Sequence, residues 1–250
     1  MTDAAGDALG VLDRITAVFE AFDGDDRGLG ISELALRAGL PKSTVSRIVA
    51  GLVRQRYLER DGSLIHLGLR LFELGQLAEM PQELRIAALP VMAELRNATG
   101  ESVQLAIRDG AEMICISIMR GRPPAPPASR IGERAPLHTT ALGKVLLAYS
   151  PATEIDEIVL GASREWMPAE LGRLKRELAE IRRTGVALES VESGRDIAGV
   201  ASPVIFPVRG AVAALGLRGP VERLDPAREA SAVREAAHSV ECRLSANRGR

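Results

Sequence analysis

Two short helices separated by a glycine turn are the feature that most constrains the fold of this chain. Ser32 is placed to cap the first helix, and Gly39 ends it at a position where glycine adopts a left-handed backbone at little cost. Pro41 suits the first turn of the next helix, which is predicted to run to about Arg56. Two helices joined so tightly predict a helix-turn-helix.

The second helix has a polar, cationic face opposite its apolar one. At about 100° per residue, the apolar sector that points inward contains Val45, Ile48, Val49, Leu52 and Val53. The opposite sector carries hydroxyl and guanidinium groups around the small side chain of Ala50, so it can enter a major groove without obstruction. The candidate DNA contacts lie on this face, at the start of the preceding helix and in the segment that follows: Ser32, Lys42, Ser43, Thr44, Ser46, Arg47, Arg54 and Arg60.

The flanking sequence completes a winged helix, predicted over residues 8–68. Residues 57–67 predict two short strands around Asp61-Gly62, a dipeptide typical of hairpin turns. Before an acidic turn at 23–26, apolar residues recur at the spacing of one helix face, at Val11, Leu12, Ile15, Val18, Phe19 and Phe22. A three-helix unit of this kind with a hairpin is a DNA-binding fold.

Basic residues are concentrated in this segment. The whole chain has 32 basic and 33 acidic side chains and a formal net charge of −1, so it is not a uniformly basic nucleic-acid coat. Between Arg27 and Arg70, however, eight basic side chains stand against three acidic ones. The excess lies where a winged helix contacts double-stranded operator DNA. Charge alone would equally allow a merely solvated surface.

A leucine repeat follows the winged helix. Leu67, Leu71, Leu74 and Ala78 are spaced as on a helix that ends near Pro81, and we predict a linker helix over residues 69–81. The leucines either join two copies of the chain or pack onto their own domain. Because a single winged helix contacts few base pairs, we expect a homodimer or a dimer of dimers on symmetric half-sites.

Residues 82–248 predict an α+β domain, because hairpins alternate with amphipathic helices. In chain order, the predicted segments are a helix over 82–98, a hairpin over 102–119, a proline-rich loop at 121–127, a helix capped by Thr139 or Thr140, helices from Pro151 and over 169–184, a hairpin over 200–217 and a last helix from Asp225.

Cysteine usage and hydropathy indicate the compartment. Cys115 and Cys242 are far apart, so they form neither a disulfide framework nor a metal-binding spacing, and we expect no metal and no other cofactor. The longest apolar runs are too short to span a membrane, and the first residues lack the basic and apolar regions of a secretory signal. A cytoplasmic protein without a membrane partner is expected.

Five short strings, in this order and at this spacing, resemble the IclR family of bacterial transcription regulators. They are Leu40-Pro-Lys-Ser-Thr-Val-Ser-Arg, Thr99-Gly-Glu-Ser-Val-Gln-Leu, Ala135-Pro-Leu-His-Thr-Thr-Ala-Leu-Gly-Lys, Ala201-Ser-Pro-Val and Leu215-Gly-Leu-Arg-Gly-Pro. The resemblance covers residues from about 9 to 244. It implies an N-terminal winged helix, a linker helix and a C-terminal effector-binding domain related to GAF and PAS sensors. It also implies repressors or activators that bind palindromic operators as dimers or tetramers and respond to small metabolites, often carboxylates or aromatic compounds.

The resemblance also places an effector pocket. Carried over by position, its residues are Ala141, Leu142, Glu189, Ile197, Gly199, Gly216 and Arg218. The family has a cysteine, an aspartate and two serines where this chain has Gly199, Glu189, Gly216 and Arg218, so the usual small keto-acid site is altered. Two glycines predict room for a body larger than pyruvate, and Arg218 with the helix start after Thr139 or Thr140 favours an anion. A pairing of Glu189 with Arg218 that leaves a filled or neutral site is the alternative.

Two other classes of function compete with this interpretation. An enzyme built on the α+β domain needs convergent titratable groups, and neither His138 beside Thr139 and Thr140 nor Cys115 in an apolar strand has a partner in the sequence. We therefore expect no enzyme. A ligand-independent architectural DNA binder usually carries a high net positive charge, whereas about two thirds of this chain has no basic excess.

Overall fold

The computed structural model describes residues 10–24, 27–123, 130–162, 168–189, 196–206 and 210–247. Parts of the predicted turn at 23–26, of the proline-rich loop and of the 200–217 hairpin lie outside these residues, as do the predicted domain ends at 8 and 248. The chain divides into two compact units between Glu79 and Met80. Each unit is described by itself.

The first unit contains the predicted helix-turn-helix and wing. Its elements are α1 (Val11–Glu20), β1 (Leu29–Gly30), α2 (Ile31–Arg37), α3 (Lys42–Arg54), β2 (Leu58–Asp61), β3 (Leu64–Leu67) and α4 (Leu69–Gly75). The three strands form an antiparallel sheet in the order β1-β3-β2. A core of fully buried apolar side chains joins α1, α2, α3 and the wing through Val18, Leu34, Val45, Val49 and Ile65. The winged helix-turn-helix is confirmed.

Two local predictions in this unit are wrong. Ser32 does not cap α2, because pairing of Gly30 with Leu64 keeps the backbone extended only as far as Gly30, which becomes the N-cap without a side-chain hydrogen bond. Ser32 therefore lies in the first turn of the helix. Val11 and Leu12 are exposed rather than inward-facing, because they lie at the outer end of α1, beyond the residues that reach the core. Gly39 is left-handed as predicted, with φ of 63°.

The predicted linker helix is interrupted. Leu67 ends strand β3, α4 stops at Gly75, and Ala78 lies between two helices. The next helix, α5, begins at Glu79 and carries Pro81 in its first turn, where the missing N–H of proline removes no helical hydrogen bond. Proline therefore marks the start of a helix here and not the end of one.

The second unit is the predicted α+β domain. Its elements are α5 (Glu79–Thr99), β4 (Ser102–Asp109), β5 (Glu112–Met119), β6 (Arg134–Pro136), α6 (Ala141–Ala148), α7 (Ala152–Ala162), α8 (Pro168–Thr184), β7 (Ala187–Glu189), β8 (Ile197–Phe206), β9 (Gly210–Pro220) and α9 (Pro226–Asn247). The strands form one antiparallel sheet in the order β6-β5-β4-β9-β8-β7. Strands β1, β6 and β7 were not predicted, because two or three residues are too few to show an alternating pattern.

Helices cover both faces of this sheet. Strand β4 shows the division: Val103 and Leu105 belong to the core formed with α5 and α9. Ala106 belongs to the core formed with α6 and α8. The start of α6 therefore packs against the face of the sheet that carries Ala106. The candidate effector site lies on this face.

Gly68 provides a test of how the wing closes. A Cβ at this position would lie 2.3 Å from the carbonyl oxygen of Arg56, and the Gly68 N–H donates to the carbonyl of Tyr57 at 2.8 Å. Gly68→Ala is expected to destabilise the first unit by about 1–3 kcal/mol, because the backbone must shift to admit a methyl group. Hydrogen exchange of residues 42–54 measures the loss.

Gly51 in α3 is the matched control, because nothing lies within 4 Å of a Cβ there. Gly51→Ala is expected to stabilise the helix by about 0.5–1 kcal/mol, because glycine is the poorer helix former, and so to slow hydrogen exchange. Equal protection in Gly68→Ala and the unaltered chain would contradict the crowding at the base of the wing.

Candidate functional site

Helix α3 presents one face to solvent and the other to the core. Val45, Val49 and Leu52 are buried. The predicted DNA contacts on this helix are exposed except Thr44, which is half-buried, and Ser32 and Arg60 on neighbouring elements are exposed too. The structure therefore brings a surface of hydroxyls and cations together on the second helix of a helix-turn-helix, where such proteins read the major groove.

Not every cation of the first unit belongs to this surface. Arg37 is held by Glu33, one turn earlier on α2, at 2.8 Å, and its Nη1 also donates to the carbonyl of Ala21. The guanidinium of Arg70 lies 5.0 Å from the centre of the Tyr57 ring, which it covers. The exposed cations of the recognition helix and wing are Lys42, Arg47, Arg54 and Arg60.

The candidate effector site is a small cavity at the start of α6, bordered by β4, β5, β7, β8 and β9. Five of the seven predicted residues line it: Ala141, Leu142, Glu189, Gly199 and Arg218. Ile197 and Gly216 are outside this lining: Ile197 is the first residue of β8 and pairs with Pro220, and Gly216 is packed beneath Leu142. The other lining residues are Thr140, which was predicted as a helix cap, and Gln104, Met113, Val200 and Leu217, which the sequence did not single out.

Two backbone amides at the start of α6 are already bonded. Thr140 is the N-cap, and its hydroxyl accepts from the N–H of Gly143 at 3.0 Å. The carboxylate of Glu189 accepts from the N–H of Ala141 at 3.1 Å. The Ala141 and Gly143 amides at the helix start are therefore bonded to side chains of the protein itself. Glu189 contacts the α6 amide, and Arg218 has an interaction partner as well.

The two glycines do not enlarge the cavity. Its volume is about 20 Å³, close to what one water molecule occupies. A Cβ on Gly199 would lie 3.2 Å from Oε2 of Glu189, and a Cβ on Gly216 would lie 2.7 Å from the carbonyl of Val200. The expected extra room is absent, because neighbouring protein atoms occupy the space that each missing side chain leaves.

Gln104 is the polar residue that sequence reasoning missed. The residue is 3% exposed, and its Nε2 has no hydrogen-bond partner among the described residues. Every residue from Ser102 to Ile107 is buried, and the register of β4 shifts between Leu105 and Ala106. The signal available was an amide inside an apolar strand, but the sequence does not show which face of the sheet carries it.

Burial shifts the pKa values of the residues that were weighed for an enzyme. Burial raises the pKa of the Cys115 thiol to about 11, so the thiol is protonated near neutral pH. Burial, with a smaller effect from Lys144, lowers the pKa of His138. Among the described residues, no cluster of three His, Cys, Asp or Glu side chains is arranged to hold a metal ion. In the same part of the chain, no helix has the length and apolar character needed to cross a bilayer.

Comparison with known families agrees with this architecture. Residues 11–62 match the family model of the IclR helix-turn-helix domain. Residues 78–242 match the family model of the C-terminal domain of the bacterial transcriptional regulator IclR. The chain belongs to the IclR family of bacterial transcription regulators. Its two units are accordingly those of a DNA-binding regulator that responds to a ligand. The family consists of transcription regulators and not of enzymes.

Individual relatives are similar over nearly the whole chain. The glycerol operon regulatory protein of Streptomyces coelicolor is 32% identical over 246 residues, which are 95% of this chain and 97% of that protein. The HTH-type transcriptional regulator XynR of Escherichia coli is 31% identical over 222 residues, 86% of this chain and 88% of the relative.

Solved structures show the same fold. An IclR homolog from Microbacterium hydrocarbonoxydans, in complex with 4-hydroxybenzoate, has a TM-score of 0.84 at 28% identity and covers 95% of this chain and 100% of its own. The Thermotoga maritima IclR has a TM-score of 0.73 at 23% identity, covering 93% of this chain and 98% of its own, and shows the likeness of fold alone.

Proposed function

We propose that this regulator binds a palindromic operator as a homodimer or dimer of dimers, with α3 in the major groove and the β2–β3 wing over the backbone. The exposed hydroxyls and cations of α3 above a buried apolar face carry this proposal. Ser43, Thr44, Ser46, Arg47 and Arg54 face the bases and their phosphates. Lys42, Arg60 and Ser32 contact the sugar-phosphate backbone. DNA contact is assigned to residues 8–68, the link to 69–81 and effector binding to 82–248.

The operator test begins with selection of bound duplexes from a random library. Selection is expected to recover sequences with two related half-sites about one helical turn apart. Fluorescence anisotropy with one recovered duplex and a scrambled one then measures specificity. Equal affinity for both duplexes, at the same salt concentration, would contradict the proposal, because sequence-independent binding depends on phosphates alone.

For the effector we propose a small carboxylic acid, aromatic acids included. The 4-hydroxybenzoate bound to the Microbacterium homolog supports a ligand of this class, and so do the Ala141 amide and the cation of Arg218 at the cavity. We place it at the cavity that is now lined by Ala141, Leu142, Glu189, Gly199 and Arg218, with Ile197 and Gly216 supporting the strands behind. A regulator of transcription acts where the chromosome is, and we assign it to the cytoplasm.

Helix α4 is the proposed contact between two copies. None of its residues is buried, and Leu69, Phe72 and Leu77 beyond it are 62%, 63% and 73% exposed. A second copy related by a twofold axis covers such a surface with the same surface of its own, and it also places two winged helices on one palindrome.

A Phe72→Glu, Leu74→Glu variant is therefore expected to sediment as a monomer at micromolar concentration, where the unaltered protein sediments as a dimer or tetramer. Charge buried without a partner prevents association. Ile131→Glu, an equally exposed apolar residue in a loop of the second unit, is the control and should not change the sedimentation coefficient. A monomeric unaltered protein would refute the dimer.

A further inference from the structure

The carboxylate of Glu189 occupies the place at the start of α6 where an anion is most stable. Helix α6 spans eight residues, Ala141–Ala148, and its N-terminus carries partial positive charge from aligned peptide dipoles. Glu189 Oε2 accepts from the Ala141 N–H at 3.1 Å, from a strand 48 residues further along the chain. A charged group on such an amide forms a stronger hydrogen bond than a neutral one.

A second polar group beside this contact lacks a partner. Gln104 lines the same cavity as Glu189 and Ala141, and the residue is only 3% exposed. No described residue accepts from its Nε2. A buried donor without an acceptor is costly, so this amide marks a place for an acceptor oxygen that the described protein does not supply.

The position of Glu189 depends on Gly199. A Cβ at residue 199 would meet Oε2 of Glu189 at 3.2 Å and its Cβ at 3.4 Å, so glycine leaves just the space that the glutamate side chain occupies. With Glu189 in this place the cavity holds about 20 Å³, enough for one water molecule and for no organic acid. A ligand reaches the Ala141 amide only after Glu189 has moved.

We propose that Glu189 is an internal competitor of the effector: a carboxylic acid binds by replacing the Glu189 carboxylate on the Ala141 N–H and by accepting from Gln104 Nε2. Two carboxylates at one site repel, so the effector expels Glu189 from the cavity. Glu189 ends β7, which pairs with β8 and stands at the edge of the described sheet, so its release disturbs pairing with one strand. The inference rests on the proposed function and adds how its site is kept closed.

The test compares Glu189→Ala and Glu189→Gln with the full-length unaltered chain. Isothermal titration with benzoate, 4-hydroxybenzoate and pyruvate is expected to show at least about tenfold tighter binding of one or more acids to Glu189→Ala, because a charge-assisted competitor is gone. Glu189→Gln keeps the size and removes the charge. In Glu189→Gln, the ratio of the affinity for benzoate to the affinity for the neutral benzamide is expected to be about tenfold higher than in the unaltered chain.

Two further variants check the geometry. Glu180→Gln makes the same change of charge on α8, where Glu180 bonds to Arg183 and is exposed, and it should leave acid binding unchanged. Adding Gln104→Leu to Glu189→Ala should lower the affinity for acids again, because the second donor is lost.

The proposal is overturned if the acids bind Glu189→Ala and Glu189→Gln no more tightly than they bind the unaltered chain. Absence of binding to all three proteins has the same meaning. Operator affinity is measured on the same preparations. If these variants still bind a palindromic duplex while the acid titrations fail, the displacement by an acid is wrong and DNA recognition stands. If the unaltered chain binds no specific duplex, the proposed function itself fails.

Discussion

Replacing Arg47 and Arg54 together with alanine is expected to remove most of the operator affinity. Both side chains are exposed on the outer face of α3, away from the buried Val45, Val49 and Leu52. An arginine that reads a base contributes about 1–3 kcal/mol of discrimination, so the pair should cost between about 30-fold and 10⁴-fold in affinity. Anisotropy with the selected operator measures the loss.

The control for this variant is a second double substitution of the same charge. Arg228→Ala with Arg243→Ala removes two exposed arginines from α9 and should leave operator affinity unchanged. Arg47→Ala alone is expected to relax the sequence preference at one base pair, whereas Lys42→Ala should weaken all duplexes alike and reduce the salt slope by about one. Undiminished operator binding by the Arg47, Arg54 double variant would show that α3 is not the reading helix.

The winged helix-turn-helix could be predicted from the sequence because its signals are local. Helix periodicity, the left-handed Gly39 and the hairpin around Gly62 each depend on a few adjacent residues, and Gly62 has a φ of 56° in the structure. The prediction that Ser32 caps α2 was wrong for a non-local reason. Pairing of Gly30 with Leu64, 34 positions away, decides where α2 begins.

The candidate effector cavity depends more on non-local contacts, and five of its lining residues are among the seven predicted from the sequence. The resemblance placed Glu189 and Gly199 at the site, but the closeness of their atoms follows from the pairing of β7 with β8. Gln104 was missed because a buried strand gives no sign of which face each side chain takes. The size of the cavity depends on where one glutamate side chain lies, which no pattern of residue types encodes.

Among the ion pairs of the described residues, the pair of Arg223 and Glu101 is the one whose loss should affect stability most. Nε and Nη2 of Arg223 donate to the two carboxylate oxygens of Glu101 at 3.0 and 3.1 Å. The Glu101 side chain is 7% exposed and that of Arg223 33%. The carboxylate also lies where Gly219 leaves room, since a Cβ there would approach Oε2 of Glu101 to within 2.3 Å. This pair links Glu101, just before β4, to Arg223 in the turn after β9.

Arg223→Met is expected to lower the free energy of unfolding of the second unit by about 2–4 kcal/mol. Removing one partner of a buried pair costs about 3–5 kcal/mol, because the remaining charge is desolvated without compensation, and the partial exposure of Arg223 reduces that figure. Urea denaturation followed by circular dichroism measures the change. Arg183→Met, which breaks the exposed pair with Glu180, is the matched control and should leave the midpoint unaltered.

The double variant Glu101→Gln, Arg223→Met separates the cost of a stranded charge from the value of the pair. With the carboxylate neutralised, the amide of glutamine has a much smaller desolvation penalty, so the double variant should be more stable than Arg223→Met alone. If Arg223→Met were as stable as the unaltered chain, the Glu101 carboxylate would have to reach solvent without its partner. If the double variant were less stable than Arg223→Met, the pair would act through packing and not through charge.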